Sequence, residues 1–265
     1  MTGRILWRLI RMHLMRGLEY RGEFLVHMAN SVAGPLISLM IWLTVSSQGV
    51  QLPYGRQQFV TYYLLVSVVG MLTGAWSEYM VATTIRLGTL SPWLLRPVPY
   101  VFNDLANNIG EKMVKLPLQL PFVALLALAF RADLHLPAEP GRWLLFGLAL
   151  LLAASIAFLL DFVLGSLAFW LEDVGGLIRV KNLLGTFLAG GLVPLALFPR
   201  GLSGFLDAQP FRYTLSFPVE ILTGSLSSVA LTQGLAWQTA YCVLLGLTYH
   251  LLWRSGLRLY TATGS

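Results

Sequence analysis

The sequence predicts an all-α membrane protein with six spanning helices, an amphipathic interfacial helix ahead of them, and a folded-back helical segment before the last. Three observations carry this. Hydrophobic residues make up 56% of the 265-residue chain and charged residues only 11%, against roughly 25% charged in soluble globular proteins. The mean hydropathy is +0.69. The apolar residues form continuous runs near the ~20 residues that a helix needs to cross ~30 Å of hydrocarbon, without the alternation of barrel strands. Such a chain cannot cover a soluble surface, which excludes most soluble enzymes. The net charge of +6 does not indicate nucleic acid, because the basic residues punctuate apolar runs instead of forming a polar patch. A single cysteine, Cys242, excludes an internal disulfide, and no Cys/His cluster offers a metal site.

Residues 1–23 hold the leader. Arg4, Arg8 and Arg11 share one stripe and Ile5, Leu6, Leu9, Ile10 and Met12 cover the other side, the pattern of a helix lying on a membrane surface. Arg16, Glu19 and Arg21 add a surface for a cytoplasmic partner. Spans are expected at about 24–47, 57–80, 113–130, 143–171, 182–199 and 235–254. Lys115, Pro117 and Pro121 interrupt the third, and Gly190, Gly191 and Pro194 the fifth. Both are therefore expected inside a bundle, where neighbours satisfy freed carbonyls.

Thirteen basic residues (Arg4, Arg8, Arg11, Arg16, Arg21, Arg86, Arg96, Lys112, Lys115, Arg179, Lys181, Arg254, Arg258) fall on the side of both termini. Five (Arg56, Arg131, Arg142, Arg200, Arg212) fall on the other. Cationic loops resist translocation, so both termini are expected in the cytoplasm.

Segment 84–112 is read as the longest inner connection. Pro92, Pro97 and Pro99 limit helix length, Gly88 offers a stop and Ser91 an N-cap, so a rigid elbow is expected. Leu90, Trp93, Leu94 and Leu95, beside Arg86 and Arg96, make either a knob for another protein's cleft or a headgroup-layer anchor. Segment 200–230 is too apolar for a simple outer loop; Pro210 and Pro218 divide it into two short helical pieces folded back on the bundle, with Glu220 inside.

Asp161 falls near mid-membrane, where an ionisable group is costly. It either lines a substrate or proton path or fixes two helices. Glu78 and His27 lie near inner ends, where snorkelling is cheap. No G-x-x-x-x-G-K-[ST] loop is present, so ATP must be handled elsewhere. Gly201-Leu202-Ser203-Gly204 resembles the nucleophile motif of rhomboid-type proteases. His250 would lie some ~22 Å deeper than Ser203 by helical rise, which argues against that pairing.

Four ordered motifs carry a resemblance. They are Tyr20-Arg21-Gly22-Glu23-Phe24, Ile85 to Ser91 leading to Leu94-Leu95-Arg96-Pro97, Leu167 to Glu172, and Phe217-Pro218-Val219-Glu220-Ile221-Leu222. Over nearly the whole chain the sequence resembles the permease subunits of bacterial type-2 ABC exporters, in the branch likened to daunorubicin exporters. The resemblance implies that fold, and a leader acting as a connecting helix. It makes Arg86, Gly88, Leu90, Trp93, Leu95, Arg96 and Pro97 the coupling segment toward an ATPase. Residues 202–227, with Pro218 and Glu220, become two outer re-entrant helices. It also implies two ATPase subunits that bind ATP and Mg, a second permease identical or paralogous, an inner-membrane location among lipids, and no catalysis or cofactor in this chain. Asp161 matches no motif of that family. An ion-gradient-driven transporter of a small amphiphile is the alternative, with Asp161 as its coupling site; no internal repeat supports it.

Overall fold

The computed structural model describes residues 2–19 and 21–260, the side chains of residues 2 and 21–31 excepted. The expectations for the side chains of Arg21 and His27 fall outside that description. No strand occurs among the described residues. The helices are α1 (Thr2–Glu19), α2 (Arg21–Ser47), α3 (Arg56–Thr73), α4 (Ser77–Arg86), α5 (Ser91–Leu94), α6 (Tyr100–Ala129), α7 (Pro140–Ser166), α8 (Gly175–Leu188), α9 (Ser203–Ala208), α10 (Ser216–Thr223) and α11 (Ser228–Leu259). Three stretches of the described residues, Arg56–Arg86, Tyr100–Ala129 and Pro140–Phe169, are long and apolar enough to cross a membrane.

Helix α7 is the hub, packed against α3, α4, α10 and α11. Glycines set its closest approaches and those of α11. A Cβ on Gly165 would stand 2.8 Å from the Glu78 carbonyl of α4, and Cβ atoms on Gly234 and Gly256 would overlap the rings of Phe217 and Phe169. The apolar core forms three clusters along the bundle. Val81, Ile85, Leu90, Tyr100 and Phe162 centre one; Phe59, Tyr62, Tyr63 and Val66 another; and Ile156, Tyr213, Phe217 and Ile221 the third.

The connections gather at two ends. Helix α1, residues 87–99, residues 167–174 and the C-terminus of α11 share the basic end. Ile85, Arg86, Ala168, Phe169, Glu172, Leu259 and Tyr260 line one cleft there, and His13 of α1 bonds Asn103 of α6 at 3.1 Å. Residues 48–55, 130–139 and 195–227 share the far end, tied by Arg56–Asp133 at 2.8 Å and by the bond from the His135 N–H to Thr61 Oγ1 at 3.0 Å.

Several boundaries differ from the sequence reading, each for a physical reason. Helix α6 begins at Tyr100, so 100–112 is helical. Its polar residues Asp104, Asn108, Glu111, Lys112 and Lys115 look like a loop by composition, but they recur at helical spacing on one face and turn into the bundle. The expected second span is broken at 74–76 into α3 and α4. The fifth expected span is a 14-residue helix, α8, about 21 Å long by helical rise, followed by a break at Gly190, where φ is +86°.

That break is closed by protein groups. Gln209 Nε2 donates to the Leu188 carbonyl at 2.8 Å, the Ser216 N–H to Ala189 at 3.1 Å, and the Tyr62 hydroxyl to Gly190 at 2.9 Å. The Tyr63 hydroxyl at 2.8 Å and Trp42 Nε1 at 3.3 Å both donate to Leu192. Irregular backbone in an apolar surrounding requires this satisfaction. Pro218 and Glu220 lie buried in α10, which packs on α3 and α7.

Candidate functional site

The elbow between α4 and α6 is built to be rigid. Helix α4 stops where Gly88 takes a φ of +69°, a left-handed conformation that favours glycine. Leu90 is fully buried in the cluster with Val81, Ile85 and Tyr100, so it holds the elbow down and is not part of a surface knob. Trp93 packs edge-on to Tyr100 with ring centroids 5.8 Å apart. Ser91 does not cap a helix as expected; it lies within α5 and its hydroxyl meets that of Tyr260 at 3.3 Å.

What the elbow presents outward is apolar and cationic. Leu95 is 89% exposed and Leu87 65%, Arg86 and Pro97 are exposed, and the Arg96 guanidinium lies 4.0 Å over the Trp93 ring, which orients it through a cation–π contact.

Helix α1 borders this surface. Its inner side packs on α6, where a Cβ on Gly110 would stand 3.1 Å from His13 Cβ and from the Leu14 nitrogen. Burial holds the His13 imidazole below its ordinary pKa, and the nearby Arg16 charge adds to that against the opposing Asn103 bond. Its outer side carries Arg4, Arg8, Arg11, Arg16 and Glu19, with Trp7 and Met15 more than half exposed.

The second feature is a charged cleft inside the bundle. Lys181 of α8 reaches Asp161 of α7 at 2.7 Å and Glu78 of α4 at 3.1 Å; both carboxyl groups are almost fully buried. Asp161 also accepts the Ser77 N–H at 3.3 Å, which satisfies a donor at the start of α4. Asp161 thus ties α4, α7 and α8 together, and Glu78 lies within the same knot instead of snorkelling.

Beside the knot lies a cavity of about 230 Å³ lined by Asp161 and Lys181. It adjoins a larger one of about 360 Å³, lined by α2, α3 and the polar face of α6; Gly70, Gly74 and Leu215 line both. Sequence reasoning missed the pairing of Lys181 and treated Lys112 only as a topology signal. The signal available was helical spacing: 108, 111, 112, 115 and 119 fall on one stripe.

The chain is thus a helical bundle with apolar helices long enough to cross a membrane, an interior charged cleft and an outward-facing elbow. A family model described as ABC-2 family transporter protein matches residues 32–264. The chain belongs to that family and is a membrane permease of ABC transport. No curated protein matches the chain.

Proposed function

We propose that this chain is the permease half of an ATP-driven exporter, with both termini and the elbow in the cytoplasm of a bacterial cell. In this reading α2, α3 with α4, α6, α7, α8 and α11 are the six spans, and 200–227 dips back from the outer side. Two such permeases, identical or paralogous, are driven by two separate ATPase subunits that bind ATP and Mg. The observation that carries it is the elbow, which is tied inward at Leu90, Trp93 and Ser91 and bare outward at Leu87, Leu95 and Arg96.

A force applied at Leu95 and Arg96 therefore passes to α4, α6 and α11 instead of dissipating in a loop. From α4 it reaches the cleft through Ser77 and Glu78, which are bonded to Asp161 and Lys181. Packed helices with discrete arrangements transmit such a push as a rearrangement.

Co-purification tests the reading. A mild detergent extract is expected to hold an ATPase subunit in fixed stoichiometry, and Leu95→Asp or Arg96→Glu should detach it or abolish ATP-driven transport while the permease stays folded. Full coupling in both variants, or labelling of a cysteine at position 95 from outside intact cells, overturns it.

A further inference from the structure

The larger cavity has two unlike walls. One is apolar and small-sided, made by Gly34 and Pro35 of α2 and by Val66 and Gly70 of α3; the other is the polar stripe of α6. On that stripe Lys115 and Glu111 are joined in an ion pair. Lys112 instead gives its bond to a neutral amide, Asn108 Oδ1, at 2.8 Å, and among the described residues no carboxylate lies within 4.0 Å of it.

Among the described residues, Lys181 is held by both Asp161 and Glu78 and Lys115 is joined to Glu111, so Lys112 is the lining lysine that no ion pair engages. Two turns beyond Lys112, Gln119 is 2% exposed. Its Nε2 donates to the Ser67 carbonyl at 2.9 Å, and its Oε1, also buried, has no hydrogen-bond partner among the described residues. A buried amide oxygen left unmet is a costly group, and it marks a place for a donor.

From these positions we infer that the cavity binds an amphiphile with an anionic oxygen at Lys112 and a hydroxyl or amide donor at Gln119. Its apolar part lies along the α2 and α3 wall. The two polar anchors are seven residues apart on one helix face, which sets their spacing at about 10 Å. The ligand is therefore an elongated polar head on an apolar body, and a bare anion reaches only one anchor. A volume of about 360 Å³ falls in the range of small-molecule sites and holds the head and the first part of a chain. This deepens the export reading by naming a substrate class, and rests on it only for the direction of movement.

Binding of a fluorescent short-chain phosphatidylglycerol, whose headgroup carries a phosphate and glycerol hydroxyls, tests the inference. It is titrated into the purified permease with its co-purifying ATPase in nanodiscs of phosphatidylcholine. Lys112→Gln, which keeps the bond to Asn108, is expected to weaken binding by about tenfold or more, the loss expected for a hydrogen bond to a charged group. Lys112→Arg should restore most of it, and Gln119→Leu should weaken it by less.

Labelled phosphatidylcholine keeps the phosphate oxygen but has no donor for Gln119 and carries a cation beside Lys112, so it should bind the wild type more weakly than the anionic probe, by at least the factor that Gln119→Leu costs that probe. Equal binding of the two probes, or an unchanged affinity in Lys112→Gln with an unchanged thermal midpoint, overturns the inference. Displacement by millimolar inorganic phosphate overturns the amphiphile in favour of a free anion. If the ATPase co-purifies but the probes are not distinguished, only this inference fails. If no ATPase is present while Lys112 discriminates, only the coupling reading fails.

Discussion

At the far end of the bundle three of five arginines are paired, Arg56 with Asp133, Arg142 with Glu139, and Arg212 with both Asp207 and Glu220, while Arg131 and Arg200 are exposed and in no salt bridge among the described residues. At the basic end Arg4, Arg8, Arg11, Arg16, Arg86, Arg96, Arg254 and Arg258 are exposed, and no salt bridge joins any of them to a carboxylate among the described residues. The same residue type thus serves two purposes. Where arginine has an internal partner it fixes the fold, as Arg212 does inside the segment that covers the break after α8. Where it has none among the described residues, its charge faces outward from the chain.

The comparison can be broken at its strongest point first. Arg212→Met leaves Glu220, 6% exposed, buried without its counter-ion, and is expected to cost about 3–5 kcal/mol. A thermal midpoint in detergent within a degree or two of the wild type shows that the pair is not structural.

Next is Gly234→Ala at the same end. The added methyl falls on the Phe217 ring, itself 1% exposed and unable to swing away. Overpacking of this kind costs about 1–3 kcal/mol, read from the same melting curve.

At the basic end the expectation reverses. Arg8→Met, Arg86→Met and Arg96→Met should each shift stability by no more than about 0.5 kcal/mol. Together they should lower the yield of co-purified ATPase. A stability loss matching that of Arg212→Met erases the distinction between the ends.

The smallest effect is that of pH on α1. The His13 pKa lies below its ordinary value of 6.5, because burial disfavours the charged ring. Its contribution to docking α1 on α6 is therefore complete above about pH 6.5 and is lost as the pH falls through the lowered value. The distance distribution between spin labels placed on α1 and α6, which does not itself depend on a titrating thiol, should broaden on moving from pH 7.5 to 5.5. His13→Asn should remove that dependence.

Much of the elbow was readable beforehand, because its determinants are local: Gly88 as a stop, the prolines, and alternating apolar and basic residues between two spans. What the one-dimensional pattern concealed was direction. Leu90 and Leu95 are equally apolar, yet one is buried beside Tyr100 and the other is 89% exposed. Only the position of α6 and α11 separates them. In the same way the start of α6 was hidden by its own polarity, since Asp104, Asn108 and Lys112 suggest solvent until a neighbouring helix is present to receive them. The reading of Asp161 was left between a path and a tie for want of its partner, which lies 20 residues away on α8.

Composition and run length alone determined that the chain is a helical membrane protein, because the cost of placing backbone and charge in hydrocarbon acts residue by residue and needs no knowledge of neighbours. The tertiary structure decided which polar groups meet. Whether Lys181 meets Asp161 and Glu78, whether Tyr62 and Tyr63 close the break after α8, and whether Lys112 lacks a carboxylate partner depend on contacts between helices far apart in sequence. A buried ionic or hydrogen-bonded contact is set by distances of about 3 Å, and only packing fixes those.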